Sequence, residues 1–174
     1  MKNTKSKISI EPLNGGITKQ FKAGQYIVID LCYIYPDDEW SEYCDNDFSG
    51  EEYKHKGKSW AGAILNYDGF DIFTCSTKWG DGGYPLYKNN ELLTDDLCVD
   101  AGMLALIPVK LAKTWPQWEE NKHLGYIVDC DKDFVIHVFG DKNYSKGKER
   151  PGNWEFLDFR VITDGDNEEE NEGY

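Results

Sequence analysis

Residues 25–34, QYIVIDLCYI, are the stretch that decides the fold class. Nearly every position in this run is apolar, β-branched or aromatic, which is typical of a strand that is buried on both of its faces. Pro36 follows closely and ends the run, because proline cannot donate to a strand ladder. Periodicity alone does not separate such a strand from a buried helix, so the β interpretation depends on the rest of the chain.

Short apolar runs separated by turn signals extend in both directions from this stretch. Residues 66–69, NYDG, separate two such runs and end in Asp-Gly, a strong hairpin signal. The strands predicted outside residues 25–34 are 8–10, 60–65, 70–78, 84–87, 103–107, 125–130, 134–139 and 154–162. This pattern predicts a mainly β fold, a sandwich or a partly open barrel, with short helices at 37–44 and 116–123.

The composition agrees with that fold class. The chain has 174 residues, a length that fits one domain with a core of its own. It contains 6 Trp, 11 Tyr and 8 Phe, which favour pleated and half-buried surfaces, and 17 Gly, which favour tight turns. We predict one β-rich domain over residues 1–163.

The charge is strongly acidic, with 19 Lys and Arg against 32 Asp and Glu and a net charge of −13. Such a charge repels phosphate and argues against direct binding to nucleic acid. Residues 164–174 hold six acidic residues and no basic one, which predicts a disordered acidic tail. The alternative is that acidic groups imitate the charge of a nucleic acid and occupy a basic groove on a partner protein.

Cysteine usage and the N-terminus indicate a cytoplasmic protein. The five cysteines are odd in number and include no Cys-x-x-Cys pair, which argues against a disulfide framework and against zinc. Residues 1–7, MKNTKSK, lack the apolar run of a signal peptide, and no stretch approaches the ~18 apolar residues of a membrane span. The sequence indicates no cofactor and no association with a membrane.

Three segments in order carry a resemblance to a known group. They are 29–34, IDLCYI, with 38–40, DEW; then 77–84, TKWGDGGY; then 99–108, VDAGMLALIP. They resemble small, uncharacterised phage and prophage proteins with Gly-Asp-Pro-Cys-Tyr-like, Gly-Asp-Gly-x-Tyr and Val-Asp-Ser/Ala-Gly segments. Ile29 and Leu31 stand where that group shows Gly and Pro. The resemblance implies a mobile-element context, and no activity comes with it.

Five residues are candidates for a ligand-binding site: Asp30, Trp79, Asp81, Tyr84 and Asp100. The three aspartates lie at strand ends or in turns, where β proteins carry their functional residues. If they converge, they could hold a divalent cation or perform acid/base chemistry. A purely structural role is the alternative, because aspartate is a common turn residue beside glycine. Likewise, the two aromatic residues suit a recognition surface if exposed and the core if buried.

No complete catalytic motif is present, so no catalytic residue is assigned. The leading hypothesis is a non-catalytic phage- or mobile-element-type accessory protein that binds a macromolecular partner with a basic surface, for example as an inhibitor of a host defence or nucleic-acid enzyme. The alternative is a small-molecule or nucleotide-binding module, or a metal-dependent hydrolase, that uses Asp30, Asp81 and Asp100. A structural virion component is a third hypothesis, and it would form a stable homo-oligomer. The sequence does not indicate the oligomeric state.

Overall fold

The computed structural model describes residues 8–12, 18–36, 39–40, 54–55, 58–59, 62–140 and 152–165. The strands within them are β1 (Ile8–Pro12), β2 (Gly24–Ile29), β3 (Lys54–His55), β4 (Lys58–Ser59), β5 (Gly62–Tyr67), β6 (Phe70–Ser76), β7 (Gly82–Lys88), β8 (Glu91–Val99), β9 (Met103–Pro108), β10 (Tyr126–Cys130), β11 (His137–Gly140), β12 (Gly152–Phe156) and β13 (Phe159–Val161). Two short helices, α1 (Val109–Ala112) and α2 (Trp118–Asn121), and two 3-10 turns, Leu31–Tyr33 and Lys122–Leu124, complete these elements.

Two antiparallel sheets form the body of the molecule. The first has the strand order β1-β5-β6-β9-β2-β10, and the second has the order β11-β12-β13-β7-β8. Strands β3 and β4 pair separately. The sheets face each other without closing into a barrel, so the prediction of a mainly β fold is confirmed in its sandwich form.

The first sheet is buried on both faces. From β2, Tyr26 and Val28 enter the core between the two sheets, where they join buried side chains such as Trp154 of the second sheet. Ile27 and Ile29 point to the opposite face, into a second core under the two helices. This arrangement explains the nearly continuous apolar run at the start of residues 25–34.

The predicted strand over residues 25–34 ends earlier than its hydrophobicity suggests. β2 stops at Ile29, and Asp30 caps the 3-10 turn that follows by accepting a hydrogen bond from the Cys32 amide at 2.9 Å. Leu31 and Ile34 are fully buried in the core under the helices. Leu31 and Ile34 are therefore apolar because their side chains pack into this core from the 3-10 turn and its C-cap, and not because they belong to a strand.

The hairpin predicted at residues 66–69 is confirmed. Asp68 and Gly69 adopt positive φ angles of 49° and 86°, as a tight hairpin turn requires, and β5 pairs with β6. The predicted strand 154–162, in contrast, is a hairpin of β12 and β13 that turns at Leu157, where φ is 50°. Leucine gives no turn signal, which is why the sequence pattern was continuous.

The helical regions match their predictions in part. α2 falls within the predicted helix 116–123, and the 3-10 turn after it extends one residue beyond, to Leu124. α1 follows Pro108, where only the end of a strand was predicted. Of the predicted helix 37–44 the structure describes Glu39 and Trp40, which are helical, and its other residues lie outside the described part. The predicted strand 134–139 begins only at His137. Among the described residues no helix is long and apolar enough to cross a membrane.

Strand β8 lies at the edge of the second sheet and is irregular. Its pairing with β7 shifts between Tyr84 and Leu86 and again between Leu86 and Tyr87. At each shift one additional residue of β8 lies against β7, so that Asp95 and Asp96 fall in the first bulge. Both carboxylates are exposed. Bulges and charges of this kind are how proteins keep an edge strand from pairing with another chain.

Gly125 is expected to be essential for the packing of β10 on β2. A Cβ at this position would lie 2.5 Å from the carbonyl oxygen of Val28 and 2.7 Å from the Cβ of Ile29. We expect Gly125→Ala to lower the free energy of unfolding by about 2 kcal/mol through overpacking, measured by urea denaturation. Gly165→Ala is the control, because no atom lies within 4 Å of its added Cβ. Equal stabilities for the two variants would contradict the prediction.

Candidate functional site

All five predicted site residues lie at one end of the sandwich. Asp30 follows the last residue of β2, Asp81 precedes β7 and Asp100 follows β8. Because Gly82 pairs with Val99 in the antiparallel ladder, Asp81 and Asp100 occupy the next opposed positions beyond it. We call this region the turn end and define it as residues 30–33, 77–84, 99–102 and 162–165.

Asp30 is fully buried and its carboxylate joins two parts of the turn end. One oxygen accepts from the amide of Cys32, and the other accepts from the amides of Asp100 at 2.8 Å and Ala101 at 2.7 Å. Burial raises the pKa of Asp30, and the three amide donors act in the opposite direction. The carboxylate thus holds the turn between β8 and β9 against the end of β2, and its oxygens are occupied by backbone amides.

The glycine turn after β6 is fixed by hydrogen bonds to the carbonyl oxygen of Gly80. That oxygen accepts from the hydroxyl of Thr77 at 2.7 Å and from the hydroxyl of Tyr84 at 2.8 Å. The amide of Thr77 donates to the carbonyl of Gly102 at 3.0 Å, which ties this turn to the one held by Asp30. Tyr84 is buried in the core between the sheets, and burial raises its pKa. Tyr84 therefore stabilises the glycine turn from the side of the core between the sheets.

Trp79 is the large aromatic side chain that the turn end exposes, with 40% of its surface accessible. Its indole N–H donates to the carbonyl of Gly165 at 2.9 Å, which fixes the orientation of the ring. The ammonium of Lys78 lies 5.3 Å from the ring centroid. The ring is therefore oriented by its own hydrogen bond and contacts a cation from the same chain.

Exposed carboxylates surround these turns. Asp81 and Asp100 are both exposed, and Asp100 adds to burial in raising the pKa of the Tyr33 hydroxyl. Asp96 on β8 is also exposed and lies against Gly83, where a Cβ would come within 2.6 Å of its carboxylate oxygen. The turn end thus combines a fixed backbone, an exposed indole and several solvent-facing negative charges.

The three predicted aspartates share the turn end but do not form a metal centre. In the part of the chain that the structure describes, no three His, Cys, Asp or Glu side chains are grouped so that they could hold a metal ion. Asp30 turns its carboxylate to backbone amides in the interior, whereas Asp81 and Asp100 face solvent. The sequence left open whether the three aspartates converge; in the structure the turns that carry them meet, but their carboxylates face different surroundings.

Two residues that sequence reasoning missed hold the C-terminal part of the turn end. The Asn153 side-chain oxygen accepts from the amides of Thr163 at 2.7 Å and Asp164 at 3.1 Å. The hydroxyl of Thr163 accepts from the amide of Lys78 at 3.1 Å. Asp164 and Gly165, the first residues of the predicted acidic tail, are thereby placed beside Trp79, and residues 166–174 lie outside the described part. No sequence motif marks Asn153 or Thr163.

The four cysteine thiols in the described part of the chain are expected to react slowly at neutral pH. Burial raises the pKa of Cys75 and Cys130 to about 12, and it also raises the pKa of Cys32 and Cys98 above the usual value. The thiolate, which is the reactive form, is therefore scarce. Alkylation with iodoacetamide, followed by peptide mass spectrometry, should label these thiols far less in the native protein than in guanidinium chloride. Rapid native labelling of Cys32 would contradict this and point to a nucleophile at the turn end.

Comparisons of the chain with protein-family models, with curated proteins and with solved structures found no match. The interpretation of the turn end consequently depends on its own geometry and charge.

Proposed function

We propose that the chain is a non-catalytic, cytoplasmic accessory protein of phage or mobile-element type that binds a macromolecular partner through the turn end. The observation that carries this proposal is the exposed Trp79, fixed by its bond to Gly165 and flanked by exposed carboxylates. Tryptophan is among the residues that contribute most to binding at protein interfaces.

The charge of the protein defines the kind of partner. With a net charge of −13, the chain attracts positively charged surfaces and accelerates encounters with them at low ionic strength. Asp81 and Asp100 bring part of that charge to the turn end, and Asp96 lies beside it against Gly83. Enzymes that act on nucleic acids carry basic grooves for the phosphate backbone. A protein of this class is the partner that we propose, with inhibition as the consequence of occupying its groove.

The hydrogen bonds at the turn end favour binding as a preformed surface. The carboxylate of Asp30 and the carbonyl of Gly80 fix the two neighbouring turns, and Asn153 fixes the segment that receives the Trp79 indole. A surface that is already ordered loses little conformational entropy when a partner binds. Asp30, a candidate for cation binding or acid/base chemistry, therefore serves in this proposal to hold a recognition surface in place.

Capture of a partner from a bacterial lysate at low ionic strength tests the proposal. The wild-type protein is immobilised beside Asp81→Asn/Asp100→Asn, and retained proteins are identified by mass spectrometry. The matched control is Asp131→Asn/Asp158→Asn, which removes the same charge from exposed residues at the opposite end of the sandwich.

The expected result is a basic protein that the wild type and the control retain and the turn-end variant loses. With the purified partner, the turn-end variant should bind about 3- to 10-fold more weakly, because exposed charges contribute modestly to affinity. Retention of no protein, or equal retention by both double variants, would overturn the proposal.

A further inference from the structure

We infer that Trp79 is the receptor for a cationic side chain of the partner, an arginine in preference to a lysine, and that Lys78 occupies this position in the free protein. The inference rests on the proposed function and names the chemistry by which the turn end recognises its partner. It assigns to Trp79 the role of an anchor that determines specificity.

The geometry of Trp79 leaves its ring as the group available for recognition. The indole N–H is already donated to the carbonyl of Gly165, so it does not serve a ligand. Trp79 as a whole residue is 40% exposed, and the ammonium group of Lys78 lies 5.3 Å from the centroid of its ring. An aromatic ring attracts a cation over its face through its quadrupole, and tryptophan does so most strongly. The contact with Lys78 is therefore an intramolecular version of the contact that we propose for the partner.

The charges around the ring favour a cation from outside the chain. Asp81 is exposed two residues beyond Trp79, and Asp164 directly precedes the Gly165 carbonyl that holds the indole. We therefore expect these acidic residues, which neighbour Trp79 and Gly165 in the chain, to attract a cation towards the ring.

Arginine fits this surface better than lysine. A planar guanidinium can stack on the indole and still donate in its own plane to a carboxylate, whereas an ammonium is a strongly hydrated point charge. When an arginine of the partner stacks on Trp79, the Lys78 ammonium is displaced from the ring. Lys78 is therefore an internal competitor, and its removal should tighten binding.

Two defined peptides, hexa-arginine and hexa-lysine, serve as probes. Each carries a fluorescent label and is titrated with wild-type protein, Trp79→Ala, Trp79→Phe and Lys78→Met at low ionic strength, with fluorescence anisotropy as the readout. Lys132→Met is the control for Lys78→Met, because Lys132 is exposed in the segment after β10 at the opposite end of the sandwich. Leu92→Ala, at an exposed apolar residue near the start of β8, is the control for the loss of surface at Trp79. Thermal unfolding of each variant establishes that it is folded.

We expect the wild type to bind hexa-arginine about 3-fold more tightly than hexa-lysine. Trp79→Ala should weaken hexa-arginine binding about 10-fold and Trp79→Phe by less, because a smaller ring remains. Lys78→Met should strengthen binding about 3-fold relative to Lys132→Met, which removes an equal charge.

Equal affinity of the wild type and Trp79→Ala for hexa-arginine would overturn the inference and assign binding to the carboxylates alone. Equal effects of Lys78→Met and Lys132→Met would overturn the role of Lys78. Failure of the wild type to bind hexa-arginine would overturn the inference as a whole, while the lysate capture with the Asp81/Asp100 variant decides the proposed function separately. If peptide binding depends on Trp79 but no partner is captured from the lysate, Trp79 is still a receptor for cationic side chains and the proposed function is overturned.

Discussion

Replacement of Trp154 by alanine is expected to lower the free energy of unfolding by about 4 kcal/mol, which is a large part of the stability of a typical domain. Trp154 is fully buried between the two sheets. Its ring meets Phe73 of the first sheet edge-on at 4.8 Å and stacks on Phe156 of the second sheet at 5.6 Å. Alanine would leave a cavity between the two sheets. Urea denaturation measures the resulting decrease in the free energy of unfolding.

Two further variants separate burial from residue type. Trp154→Phe keeps an aromatic ring and should cost about half as much as Trp154→Ala. Trp79→Ala, at a residue with 40% exposure, should cost about 1 kcal/mol or less, since exposed side chains contribute little packing. A loss below about 1 kcal/mol for Trp154→Ala would mean that the two sheets do not pack through this residue.

Replacement of Asp30 by alanine is expected to lower the free energy of unfolding by about 3 kcal/mol. The variant removes the acceptor of three amide donors, those of Cys32, Asp100 and Ala101, and releases the turn after β8 from the end of β2. Hydrogen exchange at the amides of Asp100 and Ala101 should accelerate in the variant. The control is Asp81→Ala at an exposed position, which should change stability by about 0.5 kcal/mol or less. Equal losses at the two positions would contradict a structural role for Asp30.

The pH dependence of this effect has a defined sign. Burial raises the pKa of Asp30 above its ordinary value of 3.8, so the folded state binds the proton more tightly than the unfolded state does. The contribution of Asp30 to stability is therefore fully present below pH 3.8 and declines as the pH rises through the raised pKa. The difference in the free energy of unfolding between wild type and Asp30→Ala should accordingly decrease as the pH is raised from 3.8 through the pKa of Asp30 in the folded protein. A difference that grows with pH would show that the three amide donors outweigh burial.

Local signals in the sequence were enough to predict the fold class. The run that begins at Gln25 has the composition of a buried strand, and Asp68-Gly69 is a hairpin turn by residue type alone. Leu157 turns the chain at a positive φ without belonging to any turn class, so the hairpin of β12 and β13 was not predictable from local pattern. Tertiary packing in the core between the sheets determines that turn, since Leu157 is partly buried against it.

The contacts that give the candidate residues their structural roles are long-range, and local sequence does not show them. The sequence around Asp30 gives no sign of two of its three amide donors, Asp100 and Ala101, which are 70 and 71 residues away along the chain. The opposition of Asp81 and Asp100 follows from the register of β7 on β8, and register depends on pairing that no local pattern specifies. The support given by Asn153 and Thr163 is likewise a long-range property, because Thr163 meets Lys78 across 85 positions.

The irregular pairing of β8 has a consequence for the behaviour of the protein at high concentration. A strand of a second molecule cannot form regular hydrogen bonds along this edge, because two bulges interrupt the spacing of the β8 donors and acceptors. In addition, Asp95 and Asp96 would repel the same residues of an identical strand. Growth of a continuous intermolecular sheet, the first step towards fibrils, is therefore opposed at this edge. The acidic residues that we connect with recognition at the turn end thus continue along β8 as protection against self-association.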